Sequence, residues 1–246
     1  MEWLEHSIVP AWPAPPNVKS LQTTRIGGIS CAPYDTFNLG DHVGDEPLAV
    51  AHNRQLFSAR VPSEPLWLKQ VHGTTVVNAA EADCVPTGDA SVSRHAGAVC
   101  AVMTADCLPV LLCDTHGTVV GAAHAGWRGL CDGVIESTVA SMRVAPEEVM
   151  AWLGPAIGAE AFEVGEEVRA AFIARQPEAE RAFKPGQAGK WLADIVLLAR
   201  QRLQALGVSG IYGGEWCTYS DPARFYSYRR DGVTGRMASL IWLEHQ

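Results

Sequence analysis

Short apolar runs and helical apolar spacings alternate along the chain, and they predict a mixed set of strands and helices. Strands are predicted over residues 18–24, 66–72, 74–78, 98–103, 149–153, 208–212 and 236–243. Helices are predicted over residues 47–60, 129–143, 165–175 and 192–207, the last of which ends at Gly207. Because no repeat, low-complexity tract or linker interrupts this order, the pattern predicts one α+β domain over residues 1–246.

Two apolar runs around a short polar turn predict a β-hairpin. The turn is residues 115–117, and the flanking runs contain Cys107 and His124. A symmetric loop would be centred between residues 115 and 116, so Cys107 and His124 would lie directly opposite each other, with Cβ atoms about 4.5–5.5 Å apart. A bulge at Gly117 or an irregularity at Pro109 would change this register.

A thiol and an imidazole at this separation predict a metal site, because a catalytic zinc ion takes three protein ligands and keeps one position open. Cys107 and His124 supply two of the three ligands. His72 is the preferred third ligand, because it ends a predicted strand and is followed by a glycine. His42 is a rival in a glycine-flanked loop, whereas His116 lies at the far end of the hairpin and is rejected. The alternative is an inert buried cysteine beside a hydrogen-bonded core histidine.

Cys107 and His124 also suit a second interpretation, in which they are the nucleophile and the base of a thiol hydrolase. Asp106 would then be the neighbouring carboxylate. The same carboxylate suits a general acid or base beside a metal-bound water. Adjacent residues of a strand point to opposite faces, so Asp106 can serve either site only if it belongs to the loop before the strand.

Composition and charge narrow the function classes. The net charge is −8 and no run of Lys or Arg occurs, so nucleic-acid binding is disfavoured. The seven cysteines are odd in number and lie mostly in apolar runs, which predicts reduced thiols in the cytoplasm. The acidic start is unlike a signal peptide, and no apolar run reaches the roughly 18 residues of a membrane helix.

In so acidic a chain, an anionic substrate must be bound by local arginines. Arginine suits phosphate because its planar fork binds two oxygens at once. Five arginines adjoin turns or glycines, at positions 25, 54, 128, 229 and 230. The favoured two are Arg25, which precedes Gly27-Gly28, and Arg128, in Gly126-Trp-Arg-Gly129. The Gly27-Gly28 pair lacks the spacing of a P-loop or of a dinucleotide-binding motif.

A series of motifs in fixed order makes the chain resemble a known family. They are Thr23-Thr-Arg-Ile-Gly-Gly28, Phe37-Asn-Leu-Gly40, His42-Val-Gly-Asp45, Gln70-Val-His-Gly73, Thr104-Ala-Asp-Cys-Leu-Pro-Val-Leu-Leu112, Ala123-His-Ala-Gly-Trp-Arg-Gly-Leu130, Gly154-Pro-Ala-Ile157, Phe162-Glu-Val-Gly165, Cys217-Thr218 and Phe225-Tyr-Ser-Tyr-Arg-Arg-Asp-Gly232. With these motifs the chain resembles the YfiH-like family, long labelled multicopper polyphenol oxidase or laccase-domain proteins.

The resemblance implies a four-layer α/β/β/α domain with mixed sheets and a metal ion, zinc or copper, held by His72, Cys107 and His124. It also implies phosphorolysis of adenosine, inosine and methylthioadenosine to the free base and ribose 1-phosphate, together with adenosine deamination. Arg25, Asn38 and Arg229 fall in family motifs and are assigned, with Arg128, to phosphate or ribose. A role in editing cell-wall precursors has also been attached to such proteins.

The laccase label can be tested by counting histidines. A multicopper oxidase needs a type 1 site and a three-copper cluster, usually built with His-x-His pairs. The chain has eight histidines and none is two residues from another, although copper can occupy a single His/Cys/His site through its high affinity. The phosphorolysis and deamination of purine nucleosides that the resemblance implies rank first among the candidate functions. A thiol amidase or editing hydrolase ranks second, and a metal-binding or partner scaffold ranks third. A monomer or small homo-oligomer is expected.

Overall fold

The computed structural model describes residues 2–82 and 84–245. Its strands are β1 Val18–Gln22, β2 Val76–Asn78, β3 Ala90–Ser93, β4 Cys100–Thr104, β5 Leu108–Asp114, β6 Val120–Ala125, β7 Val149–Leu153, β8 Glu163–Val164, β9 Phe183–Pro185, β10 Trp191–Ala193, β11 Gly210–Gly213 and β12 Met237–Leu243. Its α-helices are α1 Glu2–Glu5, α2 Pro47–Ser58, α3 Trp127–Asp132, α4 Val134–Met142, α5 Glu166–Arg175, α6 Ile195–Leu206 and α7 Tyr228–Asp231, with 3-10 turns at Pro146–Glu148 and Pro177–Ala182.

The strands form one large mixed sheet and two small ones. The six-stranded sheet has the order β11-β7-β5-β6-β3-β2, with parallel pairs at its two edges and antiparallel pairs in its centre. The three-stranded sheets, β1-β12-β4 and β8-β10-β9, are antiparallel. The predicted class, a mixture of helices with mixed sheets, is therefore confirmed.

Buried apolar clusters hold these elements together. Leu111 and Trp152 of the large sheet share one cluster with Val102 and Ile241 of the β1-β12-β4 sheet, so the two sheets pack face to face. The opposite face of the large sheet packs against α3 to α6, and the opposite face of the smaller sheet packs against α2. The four-layer arrangement that the resemblance implies stays a prediction, which these clusters support.

The β5–β6 hairpin forms as predicted, but its register differs from the prediction. His124 pairs with Pro109 rather than with Cys107, and the last strand pair is Cys113 with Val120. The loop is longer than expected because the carboxylate of Asp114 accepts hydrogen bonds from the backbone amides that close it. Cys107 lies in the loop immediately before β5, so it is not paired with His124 as the symmetric register predicted.

Two further expectations are wrong. Residues 66–72 contain isolated bridges at Leu66 and Lys69 instead of a strand, because the segment turns at His72, whose φ is positive. The helix predicted over 129–143 is divided into α3 and α4 by Gly133, whose φ of 105° no right-handed helix contains.

Other differences are smaller. The helix predicted over 192–207 begins only at Ile195, after Asp194 caps it by accepting from the amide of Leu197 at 2.8 Å. The strands of the β8-β10-β9 sheet have two or three residues each, too few to show an alternation in the sequence. Across the described ranges, none of the helices combines the length and the apolar character that crossing a bilayer requires.

Candidate metal centre

The three predicted metal ligands converge in space. The ligand atoms of His72, Cys107 and His124 all lie within 4.8 Å of one another, and Cys107 Sγ is 3.7 Å from His72 Nε2. Two tetrahedral ligands with Zn–S near 2.3 Å and Zn–N near 2.0–2.1 Å would be roughly 3.6 Å apart. The residues therefore fit one zinc ion, with a coordination position left for water or substrate.

His72 is placed by a tight turn rather than by a strand end. Its φ of 61° lies in the left-handed region, which a non-glycine residue adopts only when its surroundings hold it there. The carboxylate of Asp89 supplies that constraint. It accepts hydrogen bonds from the backbone amides of Val71, His72 and Gly73 at 3.2, 2.8 and 2.7 Å.

Asp89 also orients the second imidazole. Its Oδ1 lies 2.9 Å from Nδ1 of His124, and its own carbonyl accepts from the backbone amide of His124 at 2.7 Å. Nδ1 therefore donates to the carboxylate, and Nε2 is the nitrogen that is free for a metal ion. Burial would raise the pKa of Asp89, but the hydrogen bonds from His124 and the turn amides outweigh it and lower that pKa.

Asp89 was not among the residues predicted from the sequence. Its side chain is fully buried and hydrogen-bonds to two of the three candidate ligands, His72 and His124. Its position shows no fixed spacing to His72 or His124. The signal is the β3–β6 ladder, which pairs Ala90 with Ala123 and so brings Asp89 beside His124. Only the sheet topology could have revealed it.

Cys107 lies in the loop between β4 and β5, after Asp106, whose φ is 89°. The opposite wall of the centre is Gly126. A Cβ atom at this position would lie 2.6 Å from His72 Cδ2 and 3.0 Å from Cys107 Sγ. Glycine is therefore required here, because the ligands themselves occupy the space of a side chain.

The thiol and the imidazole favour an ion pair when no metal is bound. Burial would raise the pKa of Cys107, but His124 and, to a smaller extent, His72 outweigh it and lower that pKa well below the ordinary thiol value. Burial would lower the pKa of His124, but the Cys107 thiolate and the Asp89 carboxylate raise it. The centre thus holds a thiolate and an imidazolium, and a metal ion would replace the shared proton.

The centre opens into a cavity of about 360 Å³. Small-molecule sites usually measure about 300–1,000 Å³, so the cavity is large enough for a ligand of nucleoside size. Tyr228 contributes an aromatic ring that is 61% exposed. The remaining lining residues are His42, Gln70, His72, Met103, Thr104, Ala105, Cys107, His124 and Arg236.

Asp106 belongs to the loop before β5, as its predicted role requires. However, both of its carboxylate oxygens are already engaged. Oδ1 accepts from the hydroxyl of Thr218 and Oδ2 from the backbone amide of Arg229, each at 2.6 Å. These bonds tie the Cys107 loop to the C-terminal part of the chain, and the role of Asp106 in proton transfer stays a prediction.

The four predicted substrate-binding residues lie outside the lining of this cavity. Arg25 donates to the backbone oxygen of Asp35 and forms an ion pair with its carboxylate at 3.2 Å, and Arg229 donates to the backbone of Glu163 at 2.8 Å. Arg128 is exposed and lies over the ring of Trp127. Asn38 is fully buried, and its side chain bonds the backbone of Gly40 and donates to the carboxylate of Asp45 at 2.8 Å. Their substrate roles stay predictions, and the arginine that does line the cavity, Arg236, was not predicted.

Comparison with known proteins identifies the family. A model described as multi-copper polyphenol oxidoreductase laccase matches residues 19–244. The chain belongs to this family. A purine nucleoside phosphorylase of Pseudomonas aeruginosa is 56% identical over 238 residues, covering 96% of this chain and 98% of the relative. The purine nucleoside phosphorylase YfiH of Escherichia coli is 56% identical over 239 residues, with 96% and 98% covered.

Solved structures of the same family share the fold. The Neisseria meningitidis protein NMB0706 superposes with a TM-score of 0.95 at 55% identity, covering 98% of this chain and 100% of that one. YlmD from Geobacillus stearothermophilus gives a TM-score of 0.87 at 31% identity, with 94% and 93% covered. The expected resemblance to the YfiH-like family is therefore confirmed.

We predict that Asp89→Asn weakens zinc binding about 10- to 100-fold, because an amide cannot accept from three backbone amides and also orient His124. The affinity is measured by competition with a chromophoric chelator. Asp114→Asn is the matched control, because Asp114 is equally buried and also accepts backbone amides, but at the far end of the hairpin. The control should lower Tm and keep the zinc affinity. Wild-type zinc affinity in Asp89→Asn would contradict the role assigned to this carboxylate.

We also predict that Cys107 in metal-free protein is alkylated at a pH well below that of an ordinary thiol, because His124 stabilises its thiolate. Mass spectrometry of iodoacetamide-treated protein across a pH series measures the rate at each cysteine. Cys100 and Cys113 are internal controls, because burial raises the pKa of each to about 12. Zinc should protect Cys107. An ordinary pH profile at Cys107 would exclude the thiolate–imidazolium pair.

Proposed function

We propose that this protein is a zinc-dependent purine nucleoside phosphorylase acting on adenosine, inosine and methylthioadenosine. In this reaction a phosphate oxygen bonds to C1′ of the ribose as the C1′–N9 bond breaks, and the purine leaves with the electron pair and takes a proton. The observation that carries the proposal is the cavity lined by His72, Cys107, His124 and Arg236, an arginine that has no carboxylate partner among the described residues. The names of relatives that are 56% identical support it.

Different residues of the cavity would bind the metal ion and the purine. His72, Cys107 and His124 hold the metal ion, and Asp89 fixes two of them. When bound, zinc supplies a Lewis acid that lowers the pKa of water to about 7. The exposed ring of Tyr228 offers a face on which a purine can stack.

Adenosine deamination is the second reaction that we propose for the same cavity. It consumes water and releases ammonia, and the glycosidic bond stays intact. A metal centre with an open position suits this chemistry, and Asp106 is the proposed proton carrier. Because Asp106 already accepts from Thr218 and Arg229, it would have to exchange one of these bonds to take part.

A thiol hydrolase is the rival function, and one observation favours it. Asp89, His124 and Cys107 follow one another in the order carboxylate, imidazole and thiol that such enzymes use. An amidase acting on cell-wall precursors would use this arrangement without a metal ion. Polyphenol oxidation is not proposed, because three ligand residues cannot build both a type 1 site and a three-copper cluster.

We also propose that the protein is cytoplasmic and is a monomer or a small homo-oligomer. It would have no nucleic-acid or membrane partner. The acidic charge of −8 supports the absence of nucleic-acid binding. Size-exclusion chromatography with light scattering measures the oligomeric state.

We predict that zinc-loaded protein converts inosine to hypoxanthine only when phosphate is present, and converts adenosine to inosine without phosphate. Product chromatography checks both reactions. A strong chelator should abolish both products and zinc should restore them, because the ligands cannot act without the ion. Cys107→Ala and His124→Ala should lose both reactions, and Cys31→Ala, which removes an exposed thiol, should keep them.

The chelator separates the two candidate functions. A Cys–His hydrolase keeps its activity after the metal is removed, provided that circular dichroism shows an intact fold. Undiminished turnover by verified metal-free protein would therefore replace the metal-dependent proposal with the thiol mechanism. Full stoichiometric zinc in both Cys107→Ala and His124→Ala would contradict the assignment of the ligands.

A further inference from the structure

Arg236 is brought to the metal centre by the smaller of the two packed sheets. Strand β12 pairs with β4 so that Met237 lies opposite Thr104. Arg236 immediately precedes this ladder, and Ala105 follows it at the start of the loop that carries Cys107. Arg236 and Thr104 accordingly line the same cavity as the three metal ligands.

The guanidinium of Arg236 is not neutralised within the described part of the chain. Nη1 donates to the carbonyl oxygens of Thr234 and Gly235 at 3.0 Å each, whereas Nε and Nη2 have no hydrogen-bond partner there. No described carboxylate lies within 4.0 Å of it, in contrast to Arg25, which is paired with Asp35. A half-buried cation with two free donors suits an oxyanion, because the planar fork matches two oxygens of one anion.

The backbone of Arg236 is fixed by a motif that is distant in the sequence. Oδ1 of Asn38 accepts from the amide of Arg236 at 2.8 Å. Gly40 leaves space for the side chain, since a Cβ atom there would lie 2.8 Å from Cγ of Arg236. Asn38, expected to bind substrate, is thus a positioning residue for an arginine that faces the cavity.

Thr104 gives a second, independent indication of a ligand. It is 1% exposed and lines the cavity, yet its hydroxyl oxygen has no hydrogen-bond partner among the described residues. A buried hydroxyl without a partner costs about 1–3 kcal/mol, so such groups are rare unless a water, ion or ligand completes them.

We propose that Arg236 and Thr104 form the subsite for inorganic phosphate within the metal cavity. Arg236 donates two charge-assisted hydrogen bonds from Nε and Nη2, and Thr104 donates its hydroxyl to a third oxygen. Phosphate as the anion rests on the proposed phosphorolysis. The subsite would place the anion on the cavity wall beside the Cys107 loop, where it can reach a nucleoside held at the metal centre.

Direct binding tests the subsite without the reaction. Tm of the zinc-loaded protein is measured as inorganic phosphate is added, because a ligand that binds the folded state raises Tm. Phosphate should raise Tm of the wild type and of Arg181→Gln, which removes an exposed arginine elsewhere. The rise should disappear in Arg236→Gln and shrink in Thr104→Val. Without phosphate, Thr104→Val should keep or raise Tm, because its lost hydroxyl had no partner.

Kinetics then separates the subsite from the proposed function. In phosphorolysis of inosine, Arg236→Gln should raise KM for phosphate about ten- to a hundredfold and Thr104→Val about tenfold, with KM for inosine nearly unchanged. Arg236→Lys should recover part of the loss, because it keeps the charge but not the fork.

Three outcomes overturn one or both proposals. If Arg236→Gln keeps the wild-type KM for phosphate and the wild-type rise of Tm with phosphate, the subsite is refuted and phosphorolysis stands. A phosphate-induced rise that depends on Arg236, without any phosphorolysis by the wild type, would refute the proposed function and keep an anion site. Neither a rise nor phosphorolysis in the wild type would refute both. If Arg236→Gln does not fold, the same two measurements on Arg236→Lys and Thr104→Val test the subsite.

Discussion

The metal centre depends on one buried carboxylate. Asp89 is fully buried, and burying a charge is costly unless hydrogen bonds replace its water. Here three backbone amides and the imidazole of His124 replace it. The same bonds hold His72 at a positive φ and select the tautomer of His124. The hydrogen bonds that stabilise the buried Asp89 therefore also fix the geometry of two candidate metal ligands, His72 and His124.

The packing of two sheets determines what the cavity contains. The six-stranded sheet brings Asp89 and His124 together through the β3–β6 ladder. The smaller sheet contributes Thr104 and Arg236 through the β4–β12 ladder. Cys107 lies at the junction, in the loop that leaves β4 and enters β5. A change that shifted one sheet against the other would thus separate Thr104 and Arg236 from Asp89 and His124.

The sequence predicted what is local and missed what depends on long-range pairing. Strand β7 and the convergence of His72, Cys107 and His124 were predicted, because an apolar run and sequence motifs mark them directly. The hairpin register was missed, because the capping carboxylate of Asp114 lengthens a loop that looked symmetric. Asp89 and Arg236 were missed because each reaches the site only through a ladder to a distant strand. The favoured arginine, Arg25, is paired with an aspartate that no spacing rule links to it.

The charges of the site explain how a protein of net charge −8 can accept an anion at one place. Without metal, the Cys107 thiolate balances the His124 imidazolium, while Asp89 and the unpaired Arg236 add one negative and one positive charge, so these four side chains carry no net charge. A zinc ion would bring two positive charges and displace one proton, which would leave the ion and these four side chains with a net charge of plus one. This positive charge would lie among buried and half-buried side chains, where it is screened less than on the surface. If both proposals hold, metal binding and anion binding are coupled through charge, because an ion held by His72, Cys107 and His124 would make the neighbouring Arg236 and Thr104 a more favourable site for phosphate.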